Sequence, residues 1–164
     1  MISYYSIFPG VTAVSVLIIG VYAYFRNAGK MLNKLFLFVC ANVFIWLIGY
    51  SAVYSCETVK AALFWARFSY IGIVFIATAN LHFVLVLSGA DKKMKKVIAF
   101  AYIFSFVYLF LSRTDFFIDG MNHFFWGYYP RVSYAYYPFI VIFYGIYMLI
   151  PFFCTSISGV NGKV

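Results

Sequence analysis

Acidic side chains are nearly missing from this chain: Glu57, Asp91, Asp115 and Asp119 are all there are in 164 residues. Only Asp91 falls in a gap expected to face the cytoplasm, so metal-dependent phosphoryl transfer has no ligand set there. None lies inside a long apolar run, which removes the intramembrane carboxylate that proton- or sodium-coupled transport relies on. Histidine is as sparse. His82 and His123 fall on opposite halves of the expected bilayer, whereas a bis-histidine haem needs both ligands at one depth. Of the three cysteines, Cys56 falls in an outer loop and Cys40 and Cys154 toward the cytoplasmic ends of helices two and five, so a bridge from Cys56 to either would span most of a bilayer, against the ~6 Å Cα separation a disulfide requires. They read as small packing residues. Phosphate loop, HExxH, CxxC and nucleophile elbow are all absent. No catalytic residue, metal ligand or cofactor is expected.

What the chain has in abundance is apolar length. Hydrophobic residues make up 66% and charged ones 10%, against about 25% charged in a soluble domain. Apolar runs at 7–25, 35–54 and 68–87 each approach the ~20 residues needed to cross a ~30 Å hydrocarbon core. A run at 97–112 is shorter, and one at 132–154 is long enough to tilt. The fold expected is all-α, a polytopic transmembrane bundle with five helices at about 7–25, 35–54, 61–88, 97–112 and 132–154. It should occupy 1–164 as one unit, with no room for a separate soluble domain.

The basic residues orient it. Arg26, Lys30 and Lys34 follow the first run, Lys92, Lys93, Lys95 and Lys96 the third, and Lys163 the fifth, which gives 8 on one side. The other side carries 4: Lys60, Arg67, Arg113 and Arg131, together with Glu57, Asp115 and Asp119. The positive-inside rule then places the N-terminus outside and the C-terminus in the cytoplasm. The net charge of +8 is a topology signal here, so no nucleic-acid partner is expected. The first run lacks a basic n-region and a small-x-small cleavage site, so it reads as an anchor rather than a cleaved leader.

Four residues are candidates for a ligand site: Trp65, Arg67, His82 and Trp126. His82 is the one histidine inside an expected helix, where ionisable groups are functional candidates by default. The competing reading gives it a hydrogen bond to nearby backbone or to Asn42. Asn42 itself is expected to find its partner across a helix–helix contact. Arg67 sits about two turns inside the third helix and can snorkel outward, pair with Glu57, Asp115 or Asp119, or meet an anionic ligand. The outer segment at 113–131, RTDFFIDGMNHFFWGYYPR, is too aromatic to be fully solvated. It is expected to lie in the interface or fold over the bundle mouth. Trp65, Trp126 and Tyr128, Tyr129, Tyr134, Tyr136 and Tyr137 read as an outer aromatic belt, or else as the lining of a pocket.

Two stretches carry a resemblance: ALFWARFSYIGIVFIATANLHFVLVLSG at 62–89 and WGYYPRVSYAYYPFIVIFYGIYM at 126–148. With the NVFIW of residues 42–46 before them, they resemble the N-terminal seven-helix membrane region of bacterial sensor histidine kinases and some diguanylate cyclases. Trp46, Trp65, Arg67, Tyr70, Gly72, His82, Phe83, Gly89, Trp126 and Gly127 occupy the matching positions. A proline common in that family's third helix is replaced by Ile76-Ala77-Thr78. The family has seven crossings followed by cytoplasmic signalling domains, whereas five are read here. The resemblance therefore implies a truncated sensor or a relative without its output, reporting by contact with a partner.

Two functions stay open. One is a non-catalytic sensing module in the bacterial inner membrane, with its site between helix three and the 113–131 segment. The other is a structural accessory subunit of a larger respiratory or photosynthetic complex. The short fourth run mismatches the bilayer, so partners beyond lipid are expected, either other membrane proteins or further copies of the chain.

Overall fold

The computed structural model describes residues 4–147 and 149. Four helices come first: α1 (Tyr4–Arg26), α2 (Met31–Ser55), α3 (Val59–Leu87) and α4 (Lys95–Leu111). A two-stranded hairpin follows, β1 (Ile118–Phe124) and β2 (Gly127–Val132), and then α5 (Tyr136–Ile140), which runs on as a π-helical stretch, Val141–Ile146. The first three helices, of 23, 25 and 29 residues, are long and apolar enough to cross a membrane. α4 has 17 residues. The end of the expected fifth helix, with Pro151 and Cys154, and Lys163 beyond it lie outside the described residues.

Short connections force the helices to alternate in direction. Residues 27–30 and 88–94 turn the chain at one end, which carries the lysines; residues 56–58 and 112–135 lie at the other, which carries the hairpin. The α3 boundaries have local causes. The Thr58 hydroxyl accepts a hydrogen bond from the Ala61 amide at 3.3 Å, capping the first turn. At the other end Gly89 adopts φ +69°, while Ala90 N donates to Leu85 O and Gly89 N to Val86 O. That is the Schellman pattern, and a left-handed residue is what it requires.

α3 is the central helix, with twelve buried residues against three in α1. Small residues let its neighbours close in, as in membrane bundles generally. A Cβ added at Gly49 would stand 2.6 Å from Ser69, and one at Gly20 the same distance from Cys40. Gly72 lies directly against the Asn42 and Trp46 backbone. α4 is joined to α3 differently, by buried hydroxyls: Thr78 and Ser105 share a 2.7 Å hydrogen bond, and Ser105 also donates to the Val74 carbonyl at 3.0 Å. Asn42, expected to bridge helices, instead donates to the Phe38 carbonyl of its own helix at 2.7 Å. The carbonyl one turn back in α2 supplies the acceptor, so the amide needs none across the contact.

The all-α expectation fails at the hairpin end, where 118–132 forms an antiparallel ladder with Phe124 opposite Gly127 and His123 opposite Tyr128. Gly127 at φ +127° closes the two-residue turn Phe125-Trp126. Asp119 and Arg131 pair across the strands at 2.7 Å. Val132 therefore ends a strand, and the following helix starts at Tyr136 rather than 132. Pro138 falls in its first turn, where a missing N–H costs no helical bond.

Aromatic rings fill the space between α3, α4 and α5. Phe117, Phe139 and Phe143 are fully buried, with Tyr70–Phe117 at 5.0 Å, Phe117–Phe139 at 5.4 Å and Tyr108–Phe139 at 5.3 Å. The outward flanks stay apolar and exposed, as Phe8 and Ile18 on α1 and Phe100 and Phe110 on α4 do. A lipid-facing surface has this character.

Candidate functional site

The segment leaving α4 is pinned before it reaches the hairpin. Phe117 and Ile118 are fully buried, and the Phe117 carbonyl accepts from Ser133 N while that of Phe116 accepts from Ala135 N, both at 3.0 Å. Residues 113–116 are thereby held as a short shelf facing the outer turns of α3. Arg67 reaches that shelf from α3. One terminal nitrogen of its guanidinium donates to Asp115 at 2.6 Å and to the Ile118 carbonyl at 3.2 Å. Its Nε is buried without a hydrogen-bond partner.

Two open clefts flank this contact and share Arg67 and Arg113. The larger, about 570 Å³, is lined by Arg67, Arg113, Thr114, Asp115, Phe116, Ser133 and Tyr134. The smaller, about 450 Å³, adds Lys60, Leu63 and Phe64. Lys60 and Arg67 are two helical turns apart and so lie on one face of α3. Three cations thus meet one carboxylate, and that carboxylate is 85% exposed. Desolvation of the Arg113 guanidinium, and next the like charge of Arg67, hold Arg113 below its ordinary pKa. The space beside Arg67 is therefore lined with an excess of positive charge.

A second recess lies beside the hairpin. Trp46, Tyr50, Tyr54 and Tyr129, with Pro9 and Leu47, line about 270 Å³. A narrower pocket of about 130 Å³ continues it past Tyr70, Tyr136 and Tyr144. Its rings close against one another, and its lining holds no charged side chain. Of the tyrosines expected in an aromatic belt, Tyr136 and the partly exposed Tyr129 line this recess, whereas Tyr134 and Tyr137 do not and are more exposed still.

The four residues singled out from sequence do not form one site. Arg67 lines the clefts. Trp65, its neighbour but one, packs edge-on against Phe64 and Phe68 and lines neither. Trp126 sits at the hairpin tip, stacked on Phe124 at 4.8 Å, and the adjacent Phe125 reaches Tyr5 of α1. His82 lies ~22 Å along α3 from Arg67. It hydrogen-bonds the Tyr102 hydroxyl of α4 at 3.2 Å, neither backbone nor Asn42. Arg113 and Lys60, read from sequence only as topology charges, are the residues that reasoning missed. A positive charge directly after helix four, at the same depth as Arg67, was the available signal.

Among the described residues no three His, Cys, Asp or Glu side chains come together as a metal site. No curated protein matches the chain, and no solved structure does. A family model described as the N-terminal 7TM region of histidine kinase matches residues 9–160, nearly the whole chain, taking in α1 from its second turn, α2 to α5 and the hairpin. The chain belongs to that family, the membrane input regions of sensor histidine kinases.

Proposed function

We propose that this chain is a non-catalytic sensing module of the bacterial inner membrane, which binds a small ligand at its hairpin end. In this reading residues 1–164 form one bundle of five crossings, with the hairpin outside and the lysine-rich end in the cytoplasm. The ligand enters between α3 and the 113–116 shelf, and the change is passed along the helices to a partner membrane protein or a second copy. The observation that carries the reading is the cation-lined pair of clefts built around Arg67 at the hairpin end. Family membership supports an input role, and the three long apolar helices support a membrane setting.

The test uses the chain reconstituted in vesicles with the hairpin end facing out. Sugars, amino acids, amines, organic acids and inorganic phosphate are each titrated from the outside, and tryptophan emission is followed. Trp65 and Trp126 lie at the hairpin end, so one solute class should shift the emission saturably. A flat response to every class removes the sensing reading.

A further inference from the structure

We propose that the clefts around Arg67 form an oxyanion site, in which a carboxylate or phosphate group binds between the Arg67 and Arg113 guanidiniums and displaces Asp115. This rests on the sensing reading and names its ligand class.

The argument is one of unmet demand. Arg67 gives one terminal nitrogen to Asp115 and leaves Nε buried with no acceptor. A carboxylate that met the guanidinium side-on would satisfy both nitrogens, the bidentate arrangement Arg favours. Asp115 meets it at a single nitrogen, from a chain position that leaves the residue 85% exposed. Arg113 and Lys60 line the same space, and neither side chain makes a hydrogen bond or ion pair among the described residues. Two guanidiniums sharing one open cleft repel each other, and an anion between them relieves that cost. Asp115 is thus an internal occupant of a site with charge to spare. Arginine forks of this kind suit carboxylate and phosphate alike. The oxyanion can arrive on a soluble metabolite or on a lipid headgroup, since the clefts open at the end of α3 where headgroups would lie.

The experiment measures thermal unfolding of the purified chain in maltoside micelles, which contain no phosphate. Inorganic phosphate and succinate are titrated separately, with sodium chloride at matched ionic strength as the control. In parallel, phosphatidylglycerol and phosphatidylcholine are added to the micelles. Wild type should show a saturable rise in unfolding temperature with an oxyanion and none with chloride. Arg113→Gln should weaken binding about tenfold, the loss expected for one charge-assisted pair. Arg113→Lys should fall between, keeping charge without the fork. Asp115→Asn should tighten binding, because it removes the internal competitor. A merely structural Arg67–Asp115 pair would give lower stability and no gain in affinity.

A response to phospholipid alone assigns the oxyanion to a headgroup; a response to phosphate or succinate assigns it to a soluble ligand. No saturable effect from any oxyanion, or one unaltered by Arg113→Gln, or weaker binding in Asp115→Asn, overturns the proposal. If amines or sugars shift the vesicle signal while oxyanions do nothing, the sensing reading survives and the oxyanion site falls.

Discussion

Gly72→Ala is the sharpest test of the bundle, because it places one methyl group between two backbones. A Cβ at Gly72 would overlap the Asn42 carbonyl oxygen and stand 2.8 Å from the Trp46 amide nitrogen. Both obstacles are main chain within a helix, so no side chain can swing aside. Restoring ordinary contact requires α2 and α3 to part by roughly 1 Å, and a gap of that size forfeits a quarter to a half of each dispersion contact along the seam. Overpacking of cores costs ~1–3 kcal/mol, and the rigid neighbours here point to the upper end. At ~3 kcal/mol the folded-to-unfolded ratio falls about 100-fold. The assay is denaturation of the maltoside-solubilised chain by increasing dodecyl sulfate, followed by circular dichroism. Gly29→Ala is the matched control, since its added Cβ would meet nothing nearer than Asn27 Oδ1 at 3.5 Å. If Gly72→Ala and Gly29→Ala unfold together, within ~0.5 kcal/mol of wild type, α2 and α3 do not pack at Gly72.

Three further outcomes are expected. In a double-mutant cycle, Thr78→Val and Ser105→Ala should couple by ~0.6 kcal/mol, as interhelical hydroxyl bonds in membranes do; strict additivity in the unfolding assay would disconnect α3 from α4 there. Arg67→Ala should cost about 1 kcal/mol, less than a buried charged hydrogen bond, because its partner Asp115 is so exposed. Arg67→Lys should recover part of that loss, and wild-type stability in Arg67→Ala would mean that the arginine only snorkels. Cysteines introduced at Gly29 and Lys93 should label only from the cytoplasm and one at Asn122 only from outside, reversed labelling being the outcome that sinks the proposed orientation.

The helices were legible because composition and period carry them. Apolar length between lysine clusters located α1 to α4 within a few residues. The hairpin was not legible. Its strands hold Gly120 and Pro130, normally breakers, and its turn is Phe125-Trp126 in place of the Asn-Gly or Asp-Gly that signals a hairpin. Pro130 is tolerated because a two-stranded ladder has only edges. Tertiary contact closes the turn instead: a Cβ at Gly127 would stand 3.1 Å from the Tyr54 Cα, and the Tyr128 hydroxyl donates to the Glu57 carbonyl at 3.4 Å. Within the site, Arg67 could be named, and Asp115 was one of three possible partners. What selects Asp115 is the burial of Phe117 and Ile118 two and three residues on, which sets how far the shelf stands from α3. No local pattern in the sequence encodes that distance.

The Thr78–Ser105 bond gives the bundle a fulcrum. It lies nearer one end of α4, with Leu111 ~9 Å away toward the hairpin and Lys95 ~15 Å away toward the lysines, at 1.5 Å per residue. α4 is gripped there by hydroxyls, while toward the hairpin Tyr108 meets Phe139 at a tilted 47°. A rigid rod so held converts a small sideways push on its short arm into a displacement roughly 1.7 times larger on its long arm. The shelf bearing Arg113 and Asp115 is the continuation of the short arm, and Tyr102, the partner of His82, rides on the long one.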